Sequence, residues 1–460
     1  MDGMNSKYYI LAITTTSTMM AAIDSTIVYL ALPSMGRTFN SGISFLTLII
    51  LAYIIASTAM LIPGIEIIKK FGNKKFYIIG FGLFIISSLG VALSPNVLYA
   101  IIYRFVEGIG AGIMTSTDIP IILDAFPPGE KGKAIGFNSI SWSVGTLMGP
   151  LLGGFLVTYD WRYIFIVNIP IGIIAISLAL KFIKKDNEKN GKINYLSPIS
   201  MVIFIVPLLI GISFISLKYL ILAVALLPLF IYIQRKYPLI SRTLLRNRQF
   251  VYISLTSLLE SFAFFAVIYS LSLYFESYLR YSPLESGILI FTYPLGSIIS
   301  SPIGGILYDK YGHGELIIIF GILIEAINIL ITGIFLSFIP LFLFIAGFGG
   351  SLFWSPSTTM ITDVLGSRYR TQANNSLFIL RNFGMMISIS MLPVFILLFS
   401  HVSLSIGNIF LINGSIKIYN STRYYLIFSA IIALTGIIPT TFNFKSHRSH
   451  SENKVDKIQL

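Results

Sequence analysis

The chain has 460 residues, of which 55% are hydrophobic, 14% aromatic and only 11% charged, and it contains no cysteine. A soluble domain carries about 25% charged residues, so this composition excludes an ordinary soluble protein and indicates a membrane protein. The formal net charge of +13 falls in short clusters between apolar runs. That distribution is typical of membrane topology and argues against a basic face for nucleic acid.

Fourteen apolar runs are long enough to cross a bilayer, which takes about 20 residues per helix. The first run contains Asp24 and is too long for a signal peptide, so we expect a transmembrane helix there and not a cleaved segment. The expected spans are 8–33, 44–64, 75–94, 97–123, 132–158, 161–181, 196–216, 218–235, 250–275, 283–308, 315–336, 339–362, 373–400 and 421–441.

The positive charges predict the orientation of these spans. With a cytoplasmic N-terminus, 24 Lys and Arg residues lie in the inside connections and six in the outside ones, as the positive-inside rule requires. We therefore expect a multi-pass protein of the cell membrane with both termini in the cytoplasm.

The sequence contains an internal repeat. The segments IPGIEIIKKFGNKK and SPIGGILYDKYGHGE resemble each other, and their glycines Gly72 and Gly312 stand 240 residues apart. A second match, GIG at 108–110 with GFG at 347–349, has an offset of 239. Two landmarks that agree so closely predict two related halves, as in many transporters. The expected segments are a six-helix bundle at 1–192, two linker helices at 193–236, a second six-helix bundle at 237–444 and a polar tail at 445–460.

Five acidic side chains lie within the expected spans, where one charge costs roughly 2.5–3.5 kcal/mol on insertion scales. They are Asp24, Glu107, Asp118, Glu260 and Glu325. A medium of low dielectric favours the neutral form of a carboxyl group, so such a group could bind either a proton or a cationic substrate. Aromatic side chains near Glu260 would suit a lipophilic cation, although lipid-facing aromatics give the same pattern. These aromatic residues are Phe262, Phe264, Phe265 and Tyr269.

Two further polar pairs lie within spans. Arg104 and Glu107 are three residues apart, so they share a helix face and could pair. This is either a structural ion pair or a way for Arg104 to tune a proton-carrying acid. Arg381 and Asn382 in the thirteenth span either hydrogen-bond between helices or serve as partners of an anion or a polar network.

The fifth span contains GTLMGPLLGG, in which Gly145, Gly149 and Gly153 are spaced by four. In a helix they form a ridge without side chains, which permits close packing of a second helix, and Pro150 bends that helix. An isolated GxxxG is ordinary small-residue packing. With Gly154, however, the full pattern resembles the antiporter signature G-x-x-x-G-P-x-x-G-G in the fifth helix of the major facilitator superfamily.

Further segments resemble the fourteen-helix drug:proton antiporter branch of that superfamily. DSTIVYLALP, which begins at Asp24, is similar to D-x-T-I-V-N-x-A-L-P. RFVEGIGAG, which begins at Arg104, is similar to R-x-x-Q-G-x-G-A-A, with Glu107 in the place of Gln. The segments YDWRYIFIVNIPIGI, YSPLESG and LLRNRQF also resemble that branch. The matches run in order along nearly the whole chain.

This resemblance implies a polytopic all-α fold of two six-helix bundles with two inserted helices, fourteen transmembrane helices in all. It also implies secondary active export of small lipophilic, mainly cationic compounds in exchange for protons, by rocking of the two halves around a midplane site. The intramembrane acids and Arg104 would couple proton and substrate. The glycine ridge would pack across the interface between the halves and block leak through the cavity.

The family's loop motif, G-x-L-A-D-R-x-G-R-K, is altered in the first half. Ile65 stands at the first glycine position and Lys69 at the acid position, with Glu66 one helical turn early. In the family, this acid belongs to a charge network that latches the outward-facing state. We therefore expect the C-terminal half, whose copy keeps the pattern, to carry the latch. That copy comprises Gly305, Asp309, Lys310 and Gly312.

Several function classes find no support. The sequence has no phosphate-binding G-x-x-x-x-G-K-[ST] loop and no H-E-x-x-H motif, which argues against ATP-driven transport and intramembrane proteolysis. His447 and His450 in the tail have no other ligand candidates nearby. We expect no metal and no cofactor, with the proton gradient as energy source. The expected partners are a small-molecule substrate, protons and membrane lipids, without nucleic acid, for a monomer that is not an enzyme.

Three other functions stay open. One is a proton symporter or uniporter of sugars or organic acids on the same fold, against which the glycine ridge argues. The second is an exporter of one endogenous metabolite, lipid or siderophore. The third is a non-transporting membrane receptor or scaffold, which would predict that the intramembrane acids are dispensable.

Overall fold

A computed structural model describes residues 2–127, 129–183, 194–365, 370–400 and 416–441. The polar tail with His447 and His450 lies outside these residues, and so do the side chains of Ile65, Glu66 and Lys69. The described residues form seventeen α-helices and no β-strand, which confirms the expected all-α class.

Eight helices precede the two linker helices. They are α1 (Asp2–Ile27), α2 (Leu32–Phe39), α3 (Ile43–Phe71), α4 (Asn73–Ala92), α5 (Val97–Ala125), α6 (Lys131–Tyr159), α7 (Tyr163–Ile166) and α8 (Asn168–Phe182). The linker helices are α9 (Leu196–Ser213) and α10 (Leu217–Lys236). Seven helices follow: α11 (Arg242–Arg246), α12 (Arg248–Leu273), α13 (Pro283–Tyr311), α14 (Gly314–Phe335), α15 (Ile339–Leu365), α16 (Arg370–Ser400) and α17 (Ile416–Thr435).

Fourteen stretches of the described chain are long and apolar enough to cross a membrane, which confirms the number expected from the sequence. The first stretch is longer than expected, because it continues through a 3₁₀ turn at Val28–Ala31 and through α2 to Phe39. Pro33 does not end it. This proline stands in the first turn of α2, where a backbone N–H has no partner within the helix and its loss costs little.

Gly72 and Gly312, the first landmark of the repeat, end corresponding helices. Both have a positive φ, 82° and 67°. The N–H of each donates to the carbonyl four residues earlier, that of Ile68 or Tyr308, at 2.8 Å. Only glycine adopts this backbone conformation without a steric penalty, so both halves end this helix by the same means.

The second landmark of the repeat also has a structural basis. Gly108 on α5 lies directly against the backbone carbonyl of Tyr53, and Gly347 on α15 lies in the same way against that of Tyr293. A Cβ atom at either glycine would collide with that carbonyl. The next glycines repeat the relationship, with Gly110 against Gly80 and Gly349 against Gly321.

The helices pack into two compact units. The first contains Met1–Leu239, Ser272–Phe291 and Ile396–Ile418. The second contains Ile240–Leu271, Thr292–Phe395 and Tyr419–Leu460. The first unit thus includes α1 to α10 together with the connection between α12 and α13. Within it, α10 packs on α9 and buries only one of its own side chains, that of Ala223.

Candidate functional site

A buried ion-pair cluster joins α1 to α5 in the first unit. Nη1 of Arg104 lies 2.6 Å from Oδ2 of Asp24 and 2.8 Å from Oε2 of Glu107. The side chains of all three residues are at most 1% exposed. The expected pairing of Arg104 with Glu107 is therefore present, and the structure adds Asp24 to it. If both acids are ionised, this cluster carries a net charge of −1.

Three further helices of the unit, α3, α4 and α8, supply contacts to this cluster. The guanidinium carbon of Arg104 lies 4.2 Å from the centre of the Tyr53 ring, a cation–π contact, and Nε of Arg104 donates to the Ile49 carbonyl at 3.5 Å. Ser88 donates to Oε1 of Glu107, and Asn168 donates to Ser88 at 3.2 Å. Polar partners of this kind make a buried charge tolerable.

Asp118 lies in a separate polar cluster of the same unit. Ser17 donates to its Oδ1 at 2.5 Å and Thr18 donates to its Oδ2 at 2.8 Å. Asn138 on α6 donates in turn to the Thr18 hydroxyl at 2.8 Å. Both oxygens of this buried carboxyl group are therefore hydrogen-bonded, and no Lys or Arg among the described residues pairs with it.

The glycine ridge of α6 packs mainly on α1. A Cβ atom on Gly145 would lie 2.6 Å from the Met19 carbonyl, and one on Gly153 would lie 2.9 Å from that of Ile27. A Cβ on Gly149 would collide with the hydroxyl of Thr26. The ridge therefore holds α6 against the helix that carries Asp24.

Another side of α6 meets the start of α13. Gly154 lies against the Pro283 carbonyl, and a Cβ on Gly287 would lie 2.5 Å from the carbonyl of Pro150. These residues belong to one compact unit although they come from different halves of the repeat. Thus Gly154 and Pro150 contact the other half of the sequence, whereas the three evenly spaced glycines contact their own half.

A second cluster of charged and aromatic residues lies in the other unit. Nε1 of Trp354 on α15 donates to Oε1 of Glu260 at 3.2 Å, and Ser261 donates to Oε2 at 3.4 Å. The guanidinium carbon of Arg381 on α16 lies 5.0 Å from the centre of the Trp354 ring and interacts electrostatically with Glu260. Asn382, the neighbour of Arg381, is buried.

Glu325 on α14 is the second predicted intramembrane acid of this unit. The hydroxyl of Tyr293 donates to its Oε1 at 2.6 Å, while its Oε2 accepts no hydrogen bond from the residues that the structure describes. Glu325 is fully buried and lies close enough to Glu260 for the two carboxyl groups to interact. A Cβ atom on Gly350 would lie 3.1 Å from the carboxyl carbon of Glu325, so the glycine leaves room for this acid.

The loop motif of the C-terminal half lies at the end of α13. Asp309, Lys310 and Gly312 are exposed, and Gly305 lies against Ser355 on α15. Asp309 forms no ion pair with any residue that the structure describes. The structure therefore places the motif residues together at one helix end but shows no engaged latch there.

The site residues predicted from the sequence thus fall into several places. Asp24, Arg104 and Glu107 meet, Glu260 and Glu325 are neighbours, and Asp118 is separate. Several polar or aromatic partners of these acids could not be selected from the sequence, although Asn168 does lie in a family-like segment. The residues missed in this way are Tyr53, Ser88, Asn168, Tyr293 and Trp354. Within the described part of the chain, no group of three or more His, Asp or Glu side chains could hold a metal ion.

Comparisons with known proteins agree with this architecture. The riboflavin transporter RibZ of Clostridioides difficile (strain 630) is 27% identical over 452 residues, which cover 95% of this chain and 98% of RibZ. Multidrug resistance protein 3 of Bacillus subtilis (strain 168) is 27% identical over 397 residues, with 81% and 76% covered. A bacterial homolog of the human lysosomal transporter Spinster, solved in an inward-facing and occupied conformation, has the same fold. Its TM-score is 0.68 at 17% identity, and 96% of this chain and 97% of that one are covered.

The family model of the Major Facilitator Superfamily matches residues 14–246 and 253–459. This match spans nearly the whole sequence and includes both units. The chain therefore belongs to the major facilitator superfamily and is a multi-pass membrane transporter, not an enzyme.

Proposed function

We propose that this transporter exports small lipophilic compounds, mainly cations, in exchange for protons. One observation carries the proposal: among the residues that the structure describes, each unit buries more carboxyl groups than guanidinium groups. The first unit has Asp24 and Glu107 around Arg104, and the second has Glu260 near Arg381 and Glu325 near Glu260. An excess carboxylate in an apolar interior needs a proton or a cation to neutralise it, and competition between the two produces exchange.

In the first unit, Asp24, Arg104 and Glu107 form the coupling group. Arg104 touches both acids, so the gain or loss of one proton changes how strongly it holds each of them. Asp24 is on α1 and Glu107 is on α5, so this change alters the contact between two helices. Asp118, hydrogen-bonded through both oxygens, is a second proton-binding position in the same helix pair.

In the second unit, Glu260 and Glu325 supply the negative charge that attracts a cationic substrate. Trp354 next to Glu260 and Phe264, whose ring lies edge-on to Tyr293 at 5.1 Å, supply aromatic surface. A lipophilic cation gains from a carboxylate and from a ring face together.

Alternating access accompanies this exchange in transporters built from repeats. We propose that Gly145, Gly149, Pro150, Gly153 and Gly154 keep α6 close enough to α1 and α13 to prevent leak. The loop residues Gly305, Asp309, Lys310 and Gly312 form a latch in one conformational state. The proton gradient supplies the energy without a cofactor, and the transporter works as a monomer in the cell membrane with both termini in the cytoplasm.

The names of several relatives support this proposal. Multidrug resistance protein 3 and the multidrug transporter protein MdtP of Bacillus subtilis, as well as Multidrug resistance protein B homolog of Mycobacterium tuberculosis, are each 27% identical to this chain. A second candidate function rests on RibZ, which covers more of this chain than those relatives do. On that basis the substrate is one flavin-like metabolite.

The experiment uses purified protein in liposomes with an imposed pH gradient. The lumenal pH is followed while tetraphenylphosphonium, a lipophilic cation, is added. We expect proton movement on addition, lost in Asp24→Asn and in Glu260→Gln. Glu285→Gln is the matched control, because it changes an exposed acid that caps α13 into an amide that can still cap.

The two candidate functions give different results. Absence of a proton response to tetraphenylphosphonium, with uptake of riboflavin by the same liposomes, would reject cation export in favour of the metabolite. Exchange that survives in Asp24→Asn and Glu260→Gln would reject the proposed role of these acids.

A further inference from the structure

Three side chains from three helices of the second unit form a stacked arrangement. The indole of Trp354 on α15 is in the middle. Its Nε1–H donates to Oε1 of Glu260 on α12 at 3.2 Å, and the guanidinium carbon of Arg381 on α16 lies 5.0 Å from the centre of its ring. Phe378, one helical turn before Arg381, has its ring centre 6.0 Å from the same guanidinium carbon. The cation of Arg381 thus has two aromatic rings and one carboxylate around it.

These are the groups that a lipophilic organic cation requires. Such a cation gains from contact with ring faces and from a nearby negative charge, and most of all where water is excluded. Glu260 is only 4% exposed, so its charge is poorly screened. Arg381 therefore already occupies the place in which these groups would stabilise a cationic substrate.

The backbone that carries Arg381 is fixed beside α12. Gly384, one turn further along α16, lies directly against the carbonyl of Leu258, and a side chain at that position would push the helices apart. Arg381 has four rotatable side-chain bonds and is partly exposed, as is Trp354. The guanidinium group can therefore leave the indole while the helix stays in place.

We propose that Arg381 is a tethered competitor of the substrate at a cation-binding subsite made by Trp354 and Glu260. Without substrate, the guanidinium covers the indole and compensates the charge of Glu260. An incoming aromatic cation displaces it and takes over both interactions. Glu260 then has a cation beside it before and after the exchange, so it is never left as an uncompensated buried charge.

This inference rests on the proposed export of cations and adds a residue that sets affinity. The subsite selects flat or aromatic monocations, since only these offer the ring contacts that offset the loss of the guanidinium. Strongly hydrated cations without an aromatic group would not displace Arg381.

The test measures the equilibrium binding of radiolabelled tetraphenylphosphonium to the purified full-length protein. We expect Arg381→Gln to bind this cation about tenfold more tightly than the unmodified protein, because the competitor is gone. Arg381→Lys, which keeps a tethered cation, should stay near the original affinity. Arg162→Gln is the control, since it removes a half-exposed arginine paired at the surface with Asp160.

A second measurement separates competition from a change in folding. In Arg381→Gln, millimolar free guanidinium should weaken tetraphenylphosphonium binding again, whereas the unmodified protein should respond little. Binding should also quench tryptophan fluorescence, and Trp354→Phe should remove that quenching, although the other two of the three tryptophans remain.

The outcomes are distinct. Unchanged or weaker binding in a folded Arg381→Gln protein would overturn the competitor role, while cation export would stand if Glu260→Gln still abolished binding. No binding of tetraphenylphosphonium to the unmodified protein or to Arg381→Gln would overturn this inference and the proposed substrate class together.

Discussion

Tyr53 and Tyr293 hold equivalent places in the two halves of the chain, because the backbone carbonyl of each touches the first glycine of a GxG segment. Their side chains nevertheless have different interaction partners. The Tyr53 ring supports the guanidinium of Arg104, whereas the Tyr293 hydroxyl donates to Glu325. The repeat has therefore kept this helix packing, whereas its intramembrane arginines differ in place: Arg104 lies on the fourth span of the first half and Arg381 on the fifth span of the second.

The ion-pair cluster of the first unit can be tested through Arg104. We expect Arg104→Met to lower the free energy of unfolding by about 3–5 kcal/mol, because it leaves two buried carboxyl groups without a cation. The combined variant Arg104→Met, Asp24→Asn, Glu107→Gln should regain most of that stability but not exchange activity. Thermal unfolding in detergent and proton flux in liposomes measure the two effects. A single variant as stable as the unmodified protein would contradict this account.

The two equivalent tyrosines offer a matched comparison. Tyr293→Phe should destabilise the protein by about 1–3 kcal/mol, because it removes a hydroxyl donor from the fully buried Glu325. Tyr53→Phe should cost less, since it keeps the ring under Arg104, and the hydroxyl it removes, which donates to the Ala21 carbonyl at 3.2 Å, also interacts with Asp24, an acid that keeps its ion pair with Arg104. We also expect slower exchange in Tyr293→Phe alone. Equal effects of the two substitutions would argue against a special role for the contact with Glu325.

The glycine ridge can be tested on one helix with an internal control. Gly149→Leu should abolish exchange without preventing membrane insertion, because its side chain would displace Thr26 and separate α6 from α1. Gly136 lies on the same helix, and a Cβ there would meet nothing within 4 Å. Gly136→Ala should therefore be neutral or stabilise α6 by up to about 1 kcal/mol. Exchange rates in liposomes and the amount of protein inserted into the membrane, measured for both variants, test this prediction.

The loop latch predicts an effect of an exposed residue. We expect the latch to engage in a conformation other than the one described, where it needs the negative charge of Asp309. Asp309→Asn should therefore slow exchange several-fold. Stability should hardly change, since Asp309 is exposed and has no ion pair here. Asp160→Asn, which loses a surface pair with Arg162, serves as the comparison. Unaltered exchange in Asp309→Asn would remove the latch from the mechanism.

The sequence was sufficient for those parts of the fold that depend on length and composition. The fourteen spans follow from apolar runs, and the equivalence of Gly72 with Gly312 follows from the spacing. Helix ends were less predictable. The first span was expected to end at Pro33, but a proline within the first turn of a helix does not interrupt it, and the helical stretch continues to Phe39.

The partners of the buried acids could not be predicted in the same way. In a helix that is apolar on all sides, periodicity does not reveal which face meets which neighbour. The contact between Arg104 and Glu107 could be predicted from the sequence, because both residues lie on one helix. The contact between Trp354 and Glu260 could not, because 94 residues separate them and their contact depends on how α12 and α15 are rotated.

The exposure of α10 has a practical consequence in a chain without cysteine. The natural sequence is already a thiol-free background, so one introduced cysteine would be the single reactive thiol of the protein. Val224 is 69% exposed on α10, and a label there would touch lipid rather than a neighbouring helix. A spin label or dye at this position could report on the transporter during turnover, and no residue of the charged clusters would have to be replaced.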